Sequence, residues 1–261
     1  MKALASRRRH PAATVILLLL GLVATGGLYS FLAPKPAQAA VATADELNAG
    51  KKLFLANCAS CHGLNAEGID KRGPSLIGAG AAAVDFQVGT GRMPLAGPGV
   101  QAARSKTVKF TDEQIASLAA YVAALGPGPA VPDGQFTKGD GNIARGNELF
   151  KVNCAMCHNF AGSGGALTRG KYAPSLRNVS GKHIYEAMET GPQSMPVFND
   201  TNLFPKDKND IISYLHELDK NENPGGMSLG NLGPVSEGMF VWIFGLGLMV
   251  AAAVWLGAKA A

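Results

Sequence analysis

Two short segments hold all four cysteines of this 261-residue chain: CASCH at residues 58–62 and CAMCH at residues 154–158. Two cysteines separated by two residues and followed by a histidine can bind zinc, carry out thiol redox chemistry or attach a haem. Each of these alternatives demands a different architecture around the cysteines. The repetition of the pattern, 96 residues further along the chain, is therefore the feature that most restricts the fold.

The sequence around the two segments repeats as well. The pairs that align in register are residues 50–63 with 146–159, 73–78 with 173–178, Met93-Pro94 with Met195-Pro196, and Leu118, Tyr121, Val122 and Leu125 with Ile211, Tyr214, Leu215 and Leu218. The last set recurs at i, i+3, i+4 and i+7, which is the spacing of one helix face. A capping box from Thr111 to Gln114 predicts the start of this helix in the first copy, and Asp207 predicts it in the second. We therefore predict one helical module that occurs twice.

The copies differ in the lengths of their loops. The first copy is nine residues longer between Met-Pro and the tyrosine of the last helix, and the second is four residues longer between the histidine and the Pro-Ser-Leu sequence. The Gly- and Pro-rich stretch between the copies has no periodic pattern and predicts a linker.

The duplicated context favours covalent haem attachment over the other cysteine chemistries. A disulfide framework does not require a histidine after each pair, a shared four-thiolate zinc site would leave both histidines unused, and a thioredoxin-like site expects a βαβ pattern that is absent. Thiols at i and i+3 can reach two vinyl groups on one porphyrin edge, and the next residue can ligate iron. We predict two covalently bound haem c groups, with thioethers from Cys58, Cys61, Cys154 and Cys157 and iron ligands His62 and His158.

The repeated Met-Pro sequence predicts the second iron ligand in each module. Met93 and Met195 follow their histidines by 31 and 37 residues, and a thioether ligand raises the reduction potential of a haem, which suits electron transfer. Within the second copy, Met188 is an alternative candidate for the second iron ligand. With both axial positions filled, neither module has an open site for oxygen or peroxide, so we expect no independent catalytic site in this chain.

Two further expectations concern groups near the haems. A backbone carbonyl at Pro74 and at Pro174 is expected to accept a hydrogen bond from the axial histidine and to fix the orientation of its ring. His183 and His216 have no counterpart in the other copy. We predict that they are surface residues, and a second histidine ligand in the second module stays open as an alternative.

Both ends of the chain carry uncharged apolar segments, residues 11–33 and 239–258, of the length needed to cross a bilayer. The basic residues 7–9 precede the first segment and predict a cytoplasmic N-terminus. This segment is either a permanent anchor or a signal peptide cleaved at the A-x-A sequence of residues 37–39. Both alternatives place the haem modules on the extracytoplasmic side of the cell membrane, and the C-terminal segment is predicted to be a transmembrane helix.

The predicted fold class is all-α, with two tandem domains between these segments. The predicted boundaries are residues 1–44 for the basic end, the anchor or signal segment and a spacer, 45–126 for domain 1 (the first module), 127–142 for a linker, 143–220 for domain 2 (the second module), 221–238 for a second linker and 239–258 for the transmembrane helix. Residues 1–44 contain five basic residues and no acidic residue, which accounts for the net charge of +5. The exported region is then close to neutral, and nucleic-acid binding has no support.

Each module resembles the class I cytochrome c family, and together the two resemblances cover nearly all of residues 45–220. In that family the first helix crosses the last through a close glycine–aromatic contact. The resemblance implies this contact for Gly50, Phe54 and Tyr121 in the first module and for Gly146, Phe150 and Tyr214 in the second. The layout of the whole chain resembles the di-haem cytochrome c subunits of the actinobacterial cytochrome bc complex, a quinol–cytochrome c reductase.

That resemblance implies a membrane-anchored subunit of an oxidoreductase complex. Its expected partners are a cytochrome b subunit, a Rieske iron–sulfur subunit and a cytochrome oxidase, with one haem accepting electrons from the Rieske centre and the other passing them on. The alternatives are the di-haem subunit of a cbb-type oxidase, a free membrane-tethered di-haem carrier, a di-haem peroxidase and a zinc module. The C-terminal helix disfavours the cbb-type subunit, and the paired methionines disfavour the peroxidase.

Overall fold

The computed structural model of the chain describes residues 11–32, 42–97, 99–220, 229 and 234–260. The basic residues 7–10, the A-x-A sequence at 37–39 and most of the predicted 221–238 linker lie outside these residues. The first unit of the chain, Met1–Gln38, contributes the described helix α1 (Pro11–Leu32). The other described elements belong to a second unit, Ala39–Ala261.

The first module consists of four helices. They are α2 (Ala44–Asn57), α3 (Ala59–His62), α4 (Gly80–Gly89) and α5 (Asp112–Ala123). Helix α5 starts at the predicted capping box, in which the Thr111 hydroxyl accepts from the Gln114 amide and the Gln114 side chain accepts from the Thr111 amide. Reciprocal capping of this kind satisfies two of the amides that have no partner at a helix start.

Helices α2 and α5 cross at a glycine. A Cβ atom added to Gly50 would lie 2.7 Å from the Ser117 carbonyl carbon and 2.8 Å from the Tyr121 Cβ atom, so only glycine permits this approach. One turn further along α2, the buried Phe54 ring lies 5.4 Å from the Tyr121 ring. The glycine–aromatic crossing expected from the cytochrome c resemblance is present in the first module.

The second module repeats this arrangement with added short strands. Its elements are α6 (Ile143–Asn153), α7 (Ala155–His158), β1 (Gly165–Ala166), β2 (Tyr172–Ala173), α8 (Gly181–Thr190) and α9 (Pro205–Lys220), with β1 and β2 antiparallel. Helices α6 and α9 cross where a Cβ atom on Gly146 would lie 2.5 Å from the Asp210 carbonyl carbon. The Phe150 and Tyr214 rings lie 5.5 Å apart, as their counterparts do in the first module.

The predicted start of the last helix in the second module is wrong. Helix α9 begins at Pro205, and Asp207 lies in its first turn. Asp210, three residues further along α9, is buried and accepts a hydrogen bond of 2.6 Å from the Asn142 amide, at the start of α6. The Asp210 carboxylate thus binds the start of α6, although Asp210 itself belongs to α9.

The segment between the modules contacts both of them. It contains one 3₁₀ turn, Gly134–Phe136. At its start the Pro129 carbonyl accepts from the Ala82 amide at 3.1 Å, and near its end the Gly141 amide donates to the Ser213 hydroxyl at 2.7 Å. Helix α4 of the first module also packs against α8 of the second. The modules therefore share an interface besides the covalent connection.

The C-terminus is one helical run, formed by α10 (Pro234–Phe240), a π-helical stretch (Val241–Leu246) and α11 (Gly247–Ala260). Two segments, Ala12–Phe31 and Ser236–Lys259, are long and apolar enough to cross a membrane, and no part of either apolar stretch is buried. Neither segment is therefore packed as a core helix within the described residues. The all-α fold class with an apolar helix at each end is confirmed.

Candidate haem sites

Both C-x-x-C-H segments fold in the same way, as a single helical turn placed at the end of a longer helix. In the second module the Cys154 amide still donates to Phe150 of α6 at 2.8 Å, while the Cys154 carbonyl accepts from the His158 amide at 2.9 Å. Cys58 makes the equivalent bonds to Phe54 and His62, at 2.8 and 3.0 Å. Because each module repeats these bonds, each presents its two thiols and its imidazole with the same local backbone geometry.

The two histidines have their ring orientation fixed by a backbone carbonyl. His62 Nδ1 lies 2.7 Å from the Pro74 oxygen, and His158 Nδ1 lies 2.9 Å from the Pro174 oxygen. A carbonyl oxygen only accepts, so Nδ1 carries the proton and donates, which leaves the lone pair on Nε2 for a metal. Burial lowers the pKa of His158, although the bond to Pro174 opposes this shift, so the imidazole is neutral as a ligand requires.

All four thiols are free, and those of Cys58 and Cys154 are protonated at neutral pH. Burial, followed by the influence of the neighbouring thiol, raises the pKa of Cys58 to about 11 and that of Cys154 to about 12. Thiols with raised pKa values mark apolar surroundings rather than an exposed redox site. This environment suits a thiol that reacts with an apolar partner held beside it.

In the second module the four residues predicted to hold the haem border a single cavity. Cys154, Cys157, His158 and Met195 all line it, and its wall is predominantly apolar. Met195 also packs against the buried core around Phe150, together with Cys154. A wall of this composition fits a large flat apolar group that is attached through the cysteines and ligated from two sides.

Two other candidate ligands line the same cavity. Met188 is buried in the core of the second module, and His183 is only 21% exposed, which corrects its prediction as a surface residue. His183 Nε2 faces the first module and lies 3.7 Å from Asp85 Oδ1. Since this nitrogen is directed at a carboxylate, Met195 remains the predicted sixth ligand. His216 is also partly buried, with Nε2 at 3.3 Å from the Val179 carbonyl.

In the first module the predicted ligands lie around the core formed by α2, α4 and α5. Cys58 and Met93 pack against the same buried cluster, and His62 is buried beside it. A Cβ atom at Gly73 would lie 3.1 Å from His62 Cε1, so the loop that carries Pro74 passes directly against the imidazole. The donor set therefore matches that of the second module.

The sequence did not predict that the first module would help to build the second module's cavity. Phe86, Arg92, Gln101 and Arg104 all border it. Gln101 and Arg104 lie in the nine-residue extension of the first copy. This difference in loop length is the sequence signal that could have predicted their position at the cavity.

Side-chain amides tie that extension to the second module. The Gln101 amide donates to the Tyr172 carbonyl at 2.7 Å and accepts from its N–H at 2.9 Å. The Gln193 amide binds the backbone of Ala102 in the same reciprocal way, at 3.0 and 3.1 Å. These four bonds hold the extension in one position along the edge of the cavity.

A buried polar cluster completes the interface between the modules. Lys182 Nζ lies 2.7 Å from Asp85 Oδ2. Glu186 is fully buried, and neither of its oxygens has a hydrogen-bond partner among the described residues. Burial, followed by the charge on Asp85, raises the pKa of Glu186 to about 9. Glu186 is thus a neutral carboxylic acid at physiological pH.

Comparisons with known proteins identify the family of the chain. The family "Cytochrome c" matches residues 47–126, and "Cytochrome C oxidase, cbb3-type, subunit III" matches residues 141–215. The "Cytochrome bc1 complex cytochrome c subunit" of Mycobacterium leprae is 48% identical over 255 residues, covering 94% of this chain and 87% of that protein. The protein of the same name from Corynebacterium efficiens is 44% identical, covering 96% and 90%. The chain belongs to this family.

The family of bc1-complex cytochrome c subunits accounts for the main features of the chain. The Mycobacterium tuberculosis member is 46% identical and covers 97% of this chain and 93% of its own length, so the relatives share the tandem layout from end to end. Membership supports a respiratory electron-transfer role, covalently bound haem c and a membrane location. A solved structure, the Kuenenia stuttgartiensis reducing HAO-like protein complex Kustc0457/Kustc0458, has a TM-score of 0.35 and 17% identity, with 69% of this chain and 99% of that chain covered. We conclude nothing about function from it.

Proposed function

We propose that this chain is the di-haem electron relay of a quinol–cytochrome c reductase. It would carry electrons from a Rieske iron–sulfur centre, in a complex with a cytochrome b subunit, toward a terminal cytochrome oxidase. The observation that carries the proposal is the duplicated donor set, in which each module presents two thiols and a histidine whose Nδ1 is bonded to a proline carbonyl. Relatives along almost the whole chain are named as bc1-complex cytochrome c subunits, and this supports the choice of complex.

Each donor has a defined role in this proposal. Cys58 and Cys61, like Cys154 and Cys157, would hold a haem through thioether bonds. His62 and His158 would ligate iron through Nε2, and Met93 and Met195 would supply the second ligand of each iron. The bound haem supplies reversible one-electron transfer. The residues of the chain hold the imidazole orientation, exclude water and leave no coordination position open.

The membrane arrangement follows from the two apolar helices. The haem modules would lie on the extracytoplasmic side, between the N-terminal segment and the C-terminal helix, as the basic residues 7–9 predict. Protease added to cells stripped of their wall should then cleave the haem-bearing region without permeabilisation. Full protection of this region until the membrane is opened would place it in the cytoplasm.

Affinity purification in mild detergent tests the assignment. We expect a b-type cytochrome and a Rieske protein to co-purify in stoichiometric amounts, with two c haems per chain in reduced spectra. Recovery with an oxidase alone would favour the cbb-type oxidase subunit, which the family match over residues 141–215 makes the second candidate. Recovery with no partner would favour a free tethered carrier.

Paired variants count the haems. Replacing Cys58 and Cys61 by Ala should remove one covalent haem from the denatured chain, and replacing Cys154 and Cys157 by Ala should remove the other. A chain that keeps two covalent haems after either change would contradict the proposed attachment sites.

A further inference from the structure

Arg92 is a buried cation that has no anionic partner. Its side chain is 8% exposed, and it directly precedes Met93, the proposed iron ligand of the first module. The guanidinium lies 4.6 Å from the centre of the Phe86 ring and borders the cavity of the second module. Among the described residues it forms no salt bridge and no side-chain hydrogen bond.

Burial of an unpaired guanidinium is unfavourable. The desolvation penalty of a buried ion exceeds what a cation–π contact such as that with Phe86 returns. Arg104 borders the same cavity, so two positive charges lie next to each other without a negative charge. This arrangement calls for an anion inside the cavity.

The thiols that border the same cavity indicate which anion fits. Cys154 and Cys157 are the proposed attachment points for the vinyl edge of a haem, and the remaining ionised groups of a haem are its two propionate carboxylates. Guanidinium groups bind carboxylates through two parallel N–H···O bonds. Two arginines and two carboxylates also balance in charge.

We propose that Arg92 and Arg104 of the first module bind the propionate carboxylates of the haem held by the second module. This inference rests on the proposed second haem. The cavity is then shared between the modules. Arg92 would contact the second haem, and the adjacent Met93 would ligate the first. The reciprocal amide bonds of Gln101 and Gln193 keep the Arg104 segment in place before the haem arrives.

The reduction potential of the second haem should reveal this contact. A nearby positive charge favours ferrous over ferric iron, because the ferrous form carries one positive charge less. Removing both guanidinium charges should therefore lower the potential of that haem most, and removing the Arg104 charge, which is not next to Met93, should lower the potential of that haem alone. The potential is a useful readout, since a merely structural arginine would not set it for one haem selectively.

The test compares Arg92→Gln, Arg104→Gln and the double variant with Arg72→Gln in the intact purified complex. Arg72 is exposed and lies in the first module outside the cavity, so it provides the same change in charge. In the double variant, redox titration of both c haems should show that the potential of one haem falls most. In Arg72→Gln, neither potential should fall. The affected haem should be the one whose potential also changes in Met195→His. Arg92→Lys should restore part of the loss, because it keeps the charge without the two-pronged geometry.

The outcomes separate this inference from the proposed function. Arg104 is exposed at the cavity edge, so Arg104→Gln provides a variant for which misfolding is not expected. Unchanged potentials for both haems in Arg104→Gln and in the double variant, with two covalent haems retained, would overturn the propionate assignment alone. A wild-type chain with only one covalent haem would overturn the proposed function itself.

Discussion

Replacement of Gly146 by alanine should destabilise the second module by a calculable amount. The new Cβ atom would overlap the Asp210 carbonyl oxygen, and it would lie 2.5 Å from the Asp210 carbonyl carbon and 3.0 Å from the Ile211 nitrogen. All three are backbone atoms, so relief requires that α6 and α9 separate by roughly 1.5 Å to reach ordinary contact. Such a shift disturbs the Phe150–Tyr214 ring contact and the fully buried residues around it.

The magnitude follows from two opposing effects. Overpacking of a close contact costs about 3 kcal/mol when no side chain can move away, and alanine gains about 1 kcal/mol over glycine within a helix. A net loss of about 2 kcal/mol in a domain of this size lowers its melting temperature by roughly 10 °C. Because the haem is proposed to lie against the same core, its visible absorbance should change in the same transition.

Thermal melting of the purified complex, followed by haem absorbance and circular dichroism, provides the assay. Gly134→Ala is the control, since nothing lies within 4 Å of the added Cβ atom. Gly50→Ala should produce the equivalent loss in the first module, where the obstructing atoms belong to Ser117 and Tyr121. If Gly146→Ala melted at the same temperature as Gly134→Ala, the close crossing would not determine stability and the reasoning would be refuted.

Three further predictions concern the cavity and the interface. Folding raises the pKa of Glu186 from 4.5 to about 9, so the wild type should lose stability as pH rises through this interval. Denaturant titrations of Glu186→Gln should show a weaker dependence of stability on pH. An equal pH dependence in the two proteins would contradict the buried neutral acid. Met195→His should keep the haem covalently bound but lower its potential in a redox titration, and an unchanged potential would mean that Met195 is not a ligand. Gln101→Ala removes both bonds to Tyr172, so hydrogen exchange at the Tyr172 amide should accelerate, and an unchanged rate would show that these bonds do not hold the extension.

The duplicated features of the chain were the predictable ones. A residue type that recurs at the equivalent position of both copies is constrained in each, so one copy tests a prediction made from the other. The capping box at Thr111 and the carbonyl bonds from Pro74 and Pro174 are local or depend on a short loop, and all of them are present. The domain boundaries and the iron ligands remain predictions.

The features that were missed depend on contacts between distant segments. The Asp210 carboxylate accepts from the Asn142 amide, which precedes it by 68 residues, and no sequence pattern indicated this contact. His183 was predicted at the surface because it has no counterpart in the first copy, but it faces Asp85 of the first module. Neither partner is indicated by periodicity, because the pairing arises only when the two modules dock.

Some of the residues that differ between the two copies lie where the copies meet. Arg92 precedes Met93, whereas Ser194 precedes Met195, and the extension that carries Gln101 and Arg104 exists only in the first copy. The duplicated residues present the same donor set twice, and the unduplicated ones make the two surroundings unequal. Unequal surroundings give two otherwise equivalent haems different potentials, which a relay with a defined direction requires. Since both haems would sit in one chain, transfer between them would depend on this fixed interface and not on charge-steered encounter, in keeping with the near-neutral charge of residues 45–261.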